Sequence, residues 1–109
     1  MAFVICAGCA SADPPINEKA AASSASIRAA EEVGATHDPS AALYLQLAKE
    51  ESEHARMLTD SNDKDKANRL LMRSEVDAQL SLALARSEND KAAAQGAIDS
   101  VKKLNTNVQ

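Results

Sequence analysis

One pair of residues in the chain has the spacing of a metal half-site. Glu51 and His54 stand three positions apart, in the order of the Glu-x-x-His half-site of ferritin-like di-iron bundles. Residues three apart on a helix share a face, so both side chains could reach one ion. A complete site needs a second such pair, and the other histidine, His37, stands in a predicted loop. We therefore expect a solvated charged face here, with a ferritin-like metal-binding protein as the alternative.

The two cysteines, Cys6 and Cys9, have the C-x-x-C spacing found in zinc and redox sites. A zinc site needs further ligands, and the nearest histidine is His37, far along the chain. Both cysteines lie close to the amino terminus, so they cannot form a disulfide framework that staples the fold. We expect no metal and no cofactor.

The sequence also lacks the patterns that position a nucleophile or a phosphate. Its serines stand mainly at helix-interior spacing, where small side chains favour close packing, and no glycine-rich turn resembles a phosphate loop or a nucleophile elbow. The carboxylates are too numerous to nominate an acid–base pair. We predict a protein that is not an enzyme, with no catalytic residue and no evident small-molecule substrate.

The segment Ala7-Gly8-Cys9 resembles the bacterial lipobox, in which a signal peptidase cuts before an acylated cysteine. Small residues precede the cysteine as the pattern requires, but Cys6 stands where leucine is usual, and no lysine or arginine comes before Cys9. A signal peptide needs a basic start and about 7–15 apolar residues. Either the true start lies upstream of Met1, or the match is coincidental. The lipobox implies lipidation at Cys9, a membrane anchor and, with Ala10 next, an outer-membrane lipoprotein that faces the periplasm.

Composition limits both the size of the core and the class of partner. The chain has 109 residues, which is at most one domain, and much of its apolar fraction is alanine. The net charge is −4, with acidic and basic residues interspersed, so no basic patch predicts nucleic-acid binding. Beyond Phe3 to Ala10, no apolar stretch approaches the ~20 residues of a membrane-spanning helix.

Helix start and stop signals divide the chain into three helices. Asp13-Pro14-Pro15 marks the first start, and Gly34 marks its end. Asp38-Pro39-Ser40 combines an N-cap acceptor with a proline at the first helical position. The polar run from Thr59 to Asp63 separates the second helix from a long third one.

Short loops between these helices predict an all-α, antiparallel, up-down-up three-helix bundle. Its domain limits are a signal or lipobox remnant at 1–10, the bundle at 11–95 and a helical extension or tail at 96–109. Small or apolar residues at helical spacing predict the buried seams. The seams are Ile16, Ala20, Ser23, Ile27 and Ala30; Ala41, Tyr44, Leu45, Ala48, Ser52, Ala55 and Leu58; and Ala67, Leu70, Leu71, Ser74, Ala78, Ser81, Leu82 and Ala85.

The third helix carries two further features. Met72, Val76, Leu80, Ala83 and Leu84 are expected to widen its seam into a surface that touches both other helices. A bend or fray is expected at Gly96, because glycine costs ~1 kcal/mol relative to alanine in a helix interior. Past that point, three apolar residues lie beyond the reach of the second helix and are the predicted partner-contact residues, for an envelope protein or a second copy. They are Ile98, Val101 and Leu104.

Two family resemblances bear on these helices. The small-residue hairpin is similar to a tetratricopeptide-like binding hairpin, although the diagnostic tryptophan and glycine–tyrosine positions are absent. Residues 9 to 95 resemble a bacterial family of helical envelope-lipoprotein domains of unknown function, some followed by an OmpA-like peptidoglycan-binding domain. Four segments carry that second resemblance in addition to Cys9 and Pro14-Pro15. They are Ile27 to Glu31, Ala41 to Glu50, Ala67 to Leu71 and Glu75 to Ala78.

The resemblance implies a helical spacer or protein-interaction module in the periplasm, without catalytic residues. Peptidoglycan binding is not implied, because no OmpA-like segment follows within these 109 residues.

Overall fold

A computed structural model describes residues 14–108 and confirms the all-α bundle. Helix α1 spans Ile16–Glu32, a single 3-10 turn spans Ala35–His37, α2 spans Pro39–Asp60 and α3 spans Lys64–Val108. Hydrogen bonds between the helices fix their directions. Ser74 and Ser81 of α3 reach the carbonyls of Ala48 and Ala41, so α2 and α3 are antiparallel. Ser23 of α1 bonds to Ser74, and Asn89 donates to the carbonyl of Val33, directly after α1, so α1 and α3 are parallel.

The predicted helix stop and start signals are found at the link between α1 and α2. Gly34 has a φ of +87°, and a Cβ there would lie 3.1 Å from the His37 ring. Asp38 caps α2 by accepting a 2.7 Å hydrogen bond from the Ala41 amide, with Pro39 at the first helical position. The predicted cap at Asp13 lies outside the described residues. The backbone carbonyl of Pro15 accepts the first amide bonds of α1.

The core that holds the helices together is built almost entirely from small side chains. Its buried apolar residues are alanines together with Leu45 and Leu71, and the largest fully buried side chains are those of Ser23, Ser74 and Ser81. On α3 the buried positions alternate at spacings of four and three, as the sequence predicts. They are Ala67, Leu71, Ser74, Ala78, Ser81 and Ala85. Such side chains allow close approach of the backbones but bury little apolar area for each residue.

A chain of hydroxyl groups crosses the centre of the bundle and joins all three helices. Ser74 donates to the Ala48 carbonyl at 2.6 Å, and the Ser23 hydroxyl oxygen lies 2.6 Å from that of Ser74. A hydroxyl has one proton, so Ser23 must donate to Ser74. Two helical turns further along α3, Ser81 donates to the Ala41 carbonyl at 2.7 Å. These bonds satisfy hydroxyls that would otherwise be buried without partners.

The expected widening of the α3 seam is wrong for most of its residues. Met72, Val76, Leu80 and Ala83 are exposed, with 61% of Val76 accessible, whereas Leu84 is half-buried against the core. The reason is geometric, because α1 and α2 both contact α3 on its small-residue side. The opposite side of α3 is left in solvent. Leu47 and Met57 of α2 are exposed as well.

The expected fray at Gly96 is not found, because α3 runs as one continuous helix through this residue to Val108. A Cβ placed at Gly96 would meet nothing within 4 Å, so no contact between the described residues requires glycine there.

Replacing Ser74 with alanine should destabilise the fold, because the buried Ser23 hydroxyl loses its acceptor. The expected cost is about 1–3 kcal/mol, measured as the free energy of unfolding in urea. Replacing Ser23 as well removes the orphaned donor. The Ser23→Ala/Ser74→Ala double variant should therefore be no less stable than Ser74→Ala alone. Additive losses from the two substitutions would contradict the hydroxyl chain.

Candidate protein-interaction surface

The carboxyl-terminal half of α3 extends beyond the rest of the bundle. Ala85 is the last buried residue, and every residue from 86 to 108 is exposed. At 1.5 Å per residue this stretch, the projecting segment, is about 33 Å long. At its base, the Asn89 side-chain amide donates a 3.0 Å hydrogen bond to the carbonyl of Val33, the residue that follows α1. The projecting segment is therefore a helix that the described bundle does not cover.

The predicted partner-contact residues all lie on this projecting segment. Ile98, Val101 and Leu104 are exposed, with 56% of Val101 and 64% of Leu104 accessible, and Val108 continues the row. Contiguous exposed apolar residues differ from the scattered ones found on any surface, because they mark sites of contact. A partner contact here remains a prediction, although the exposure it requires is present.

A second apolar surface, missed by the sequence analysis, lies on the outer side of the α2–α3 hairpin. Leu43 and Leu47 of α2 and Met72, Val76 and Leu80 of α3 are all exposed. The pairing of Ser74 with Ala48 and of Ser81 with Ala41 brings these two rows to the same level of the hairpin. We name this surface the hairpin patch. The sequence does contain a signal for this patch. Large apolar residues recur every four positions on the side of each helix opposite to the buried alanines and serines.

The expected solvated face at Glu51 and His54 is only half correct. His54 is exposed, but the Glu51 side chain is only 12% accessible at the α2–α3 contact. There it lies 3.1 Å from the Arg73 guanidinium, while its Oε2 atom accepts no hydrogen bond from any residue between 14 and 108. Burial raises the pKa of Glu51, the charge of Asp77 raises it further, and Arg73 opposes both.

This arrangement does not favour the ferritin-like alternative. His54 borders a depression that also contains Lys66, Arg69 and Arg73, whose charges repel a metal cation. Between residues 14 and 108, no three His, Cys, Asp or Glu side chains come together as a group that could hold a metal ion. Cys6 and Cys9, including the predicted lipidation site, lie outside the described residues.

An open cleft of about 270 Å³ separates the start of α1 from the end of α2, with Leu71 at its floor. Its main charged group is Arg56, which is held by Glu53 at 2.6 Å and by Asp60 at 3.4 Å. The guanidinium is thus engaged within its own helix, and neither histidine lines the cleft. The apolar surfaces on α2 and α3 remain the best candidate site.

Replacing Glu51 with glutamine should stabilise the protein more at neutral than at acidic pH. The pKa of Glu51 is higher in the folded chain than in the unfolded chain. Between these two pKa values the folded chain keeps the carboxyl proton that the unfolded chain has lost, so the free energy of unfolding falls as pH rises. The gain from Glu51→Gln should therefore grow from about pH 4 upward and then level off. Urea unfolding across pH measures it, with the exposed Glu50→Gln as the matched control. A gain independent of pH would contradict this assignment.

Comparisons with known proteins give no indication of function, so a functional proposal must be argued mainly from the geometry of the described residues. No family model matches the chain, and no curated protein or solved structure is significantly similar to it. Between residues 14 and 108, no helix is both long and apolar enough to cross a bilayer.

Proposed function

We propose that this chain is a non-enzymatic protein-interaction module that uses α3 as both spacer and contact element. The observation that carries the proposal is the projecting segment, an exposed helical stretch with a row of large aliphatic residues. Most helical stability in proteins comes from packing of an apolar face, and a lone helix gains nothing from exposing one. A partner that covers Ile98, Val101 and Leu104 would supply that packing.

The bundle supports this role by holding the projecting segment at a fixed position. One helix contains both the buried seam and the exposed extension, and Gly96 does not interrupt it. The extension therefore continues the axis of a packed element rather than hanging from a flexible linker. A contact helix held in place loses less conformational freedom on binding than a free one does.

We further propose that the module is an outer-membrane lipoprotein in the cell envelope, anchored through Cys9 and facing the periplasm. The lipobox-like Ala7-Gly8-Cys9 and the family resemblance support this placement. The anchor would precede α1, whose start at Ile16 packs near Ala55 and Ala67. The projecting segment leaves from the opposite end of the bundle. An anchor at Cys9 thus places the contact residues at the end of the bundle remote from it.

Photo-crosslinking in cells tests the interaction role. A photoreactive amino acid at Val101 should yield a crosslinked product identified by mass spectrometry as one defined envelope protein or a second copy. The same group at Asp99, on the other side of the helix, should yield little of that product. Equal labelling at both positions, or none at Val101, would contradict a contact surface on the apolar side.

Mass analysis of the membrane fraction tests the anchor. An intact mass that corresponds to cleavage before Cys9 and acylation of that cysteine is expected, and Cys9→Ser should release the chain from membranes. A single acyl chain binds membranes only marginally, so complete lipobox processing is required. A soluble, unacylated chain that retains Met1 would overturn the lipoprotein assignment.

A further inference from the structure

A second seam runs along α3 on the side facing away from α1 and α2. Its positions alternate at spacings of four and three over more than thirty residues, which is the heptad pattern of a two-stranded coiled coil. Every one of them is exposed. In chain order they are Val76, Leu80, Ala83, Ser87, Asp90, Ala94, Ala97, Val101, Leu104 and Val108.

The order of residue types along this outer seam decides which partner it fits. Its apolar residues stand at the two ends, and its serine and aspartate stand near the middle. When a second copy lies antiparallel, with the two-fold axis near residue 92, each end meets the opposite end of the partner. The layers then pair Val76 with Val108, Leu80 with Leu104, Ala83 with Val101, Ser87 with Ala97 and Asp90 with Ala94.

A parallel alignment fits the outer seam less well. It would place Asp90 directly against the same residue of the second copy, and two like charges at a seam position repel each other. In the antiparallel alignment Asp90 faces the small Ala94, which leaves its carboxylate room to reach water. Ile98, on the flank of the outer seam, then lies beside Leu84 of the second copy. Charge and side-chain size therefore both favour the antiparallel arrangement.

We propose that two copies of this chain associate through their outer seams in an antiparallel coiled coil. In this dimer the projecting segment of each copy covers Val76 and Leu80 of the hairpin patch on the other. The contact is self-complementary and closes under a two-fold axis, so it does not propagate into filaments. The inference rests on the proposed interaction role and specifies its partner. Because the copies are antiparallel, their α1 helices start at opposite ends of the dimer, so two anchors at Cys9 would hold the dimer along the membrane surface.

The size of the contact is sufficient for a specific dimer. The outer seams overlap from residue 76 to residue 108, which corresponds to about 48 Å of helix. A strip of that length and one helix diameter wide, ~11 Å, has a footprint of ~500 Å² on each copy, or ~1,000 Å² in total. That total reaches the lower limit for biological interfaces.

A pair of charge substitutions in one layer tests both the association and its direction. Leu80→Glu and Leu104→Lys should each weaken self-association of the full chain more than about tenfold, because each homodimer then has a charge against leucine in two layers. In a one-to-one mixture, a heterodimer has one glutamate–lysine layer and one leucine–leucine layer. Sedimentation velocity under reducing conditions should therefore show dimers for the wild type and for the mixture, and monomers for each variant alone.

Matched controls separate the seam from general effects of charge. Thr106→Glu, on the opposite side of the projecting segment, should leave the dimer intact. Leu104 touches no core residue, so Leu104→Lys leaves the bundle folded, and circular dichroism checks this for both variants.

Two results would overturn the dimer. One is a wild-type chain that stays monomeric at micromolar concentrations, and the other is a mixture that remains monomeric when each variant does. If either is found while Val101 still crosslinks to a different envelope protein, the second copy is excluded as the partner and the interaction role stands.

Discussion

Close approach of the three helix backbones is the constraint on which this fold depends. The buried faces carry alanine and serine almost throughout, with Lys19, Leu45 and Leu71 as the larger exceptions. Because the space between helices is narrow, a serine on one helix can reach a main-chain carbonyl on the next, as Ser74 and Ser81 do. The hydrogen bonds then fix the relative position of helices that apolar packing alone would specify weakly, since small side chains offer few distinct ways to interdigitate.

The same constraint explains why the large aliphatic residues lie outside. The narrow space beside the alanine seam has no room for side chains as large as those of Val76 and Leu80. Both residues lie on the opposite side of α3 and are exposed. The molecule consequently has two kinds of helix face. One is small and polar-bonded and builds the monomer, and the other is apolar and exposed and is available for association. Large exposed apolar surfaces are uncommon on monomeric proteins, and they carry function when they occur.

Charged residues act mainly at the margins of this arrangement. Lys49 of α2 pairs with Glu31 of α1, and Arg73 of α3 pairs with Glu51, so each neighbouring helix has an ionic contact with α2. Pairs exposed to water contribute little stability, but they disfavour other registers. Glu51 is the exception, because its burial beside Asp77 raises its pKa and makes its ionisation unfavourable to folding.

The sequence by itself determined the number of helices, their approximate limits and the small-residue seams, because capping signals and helical periodicity are local. Gly34 and Asp38 are clear examples, since their roles depend on neighbours a few residues away. Tertiary structure alone decided which other faces are covered. Periodicity places Val76 and Glu51 on a face but does not say whether a neighbouring helix lies against it. Because α1 and α2 pack on one side of α3, Val76 on the opposite side is exposed to water. The same packing buries most of the Glu51 side chain at the contact between α2 and α3.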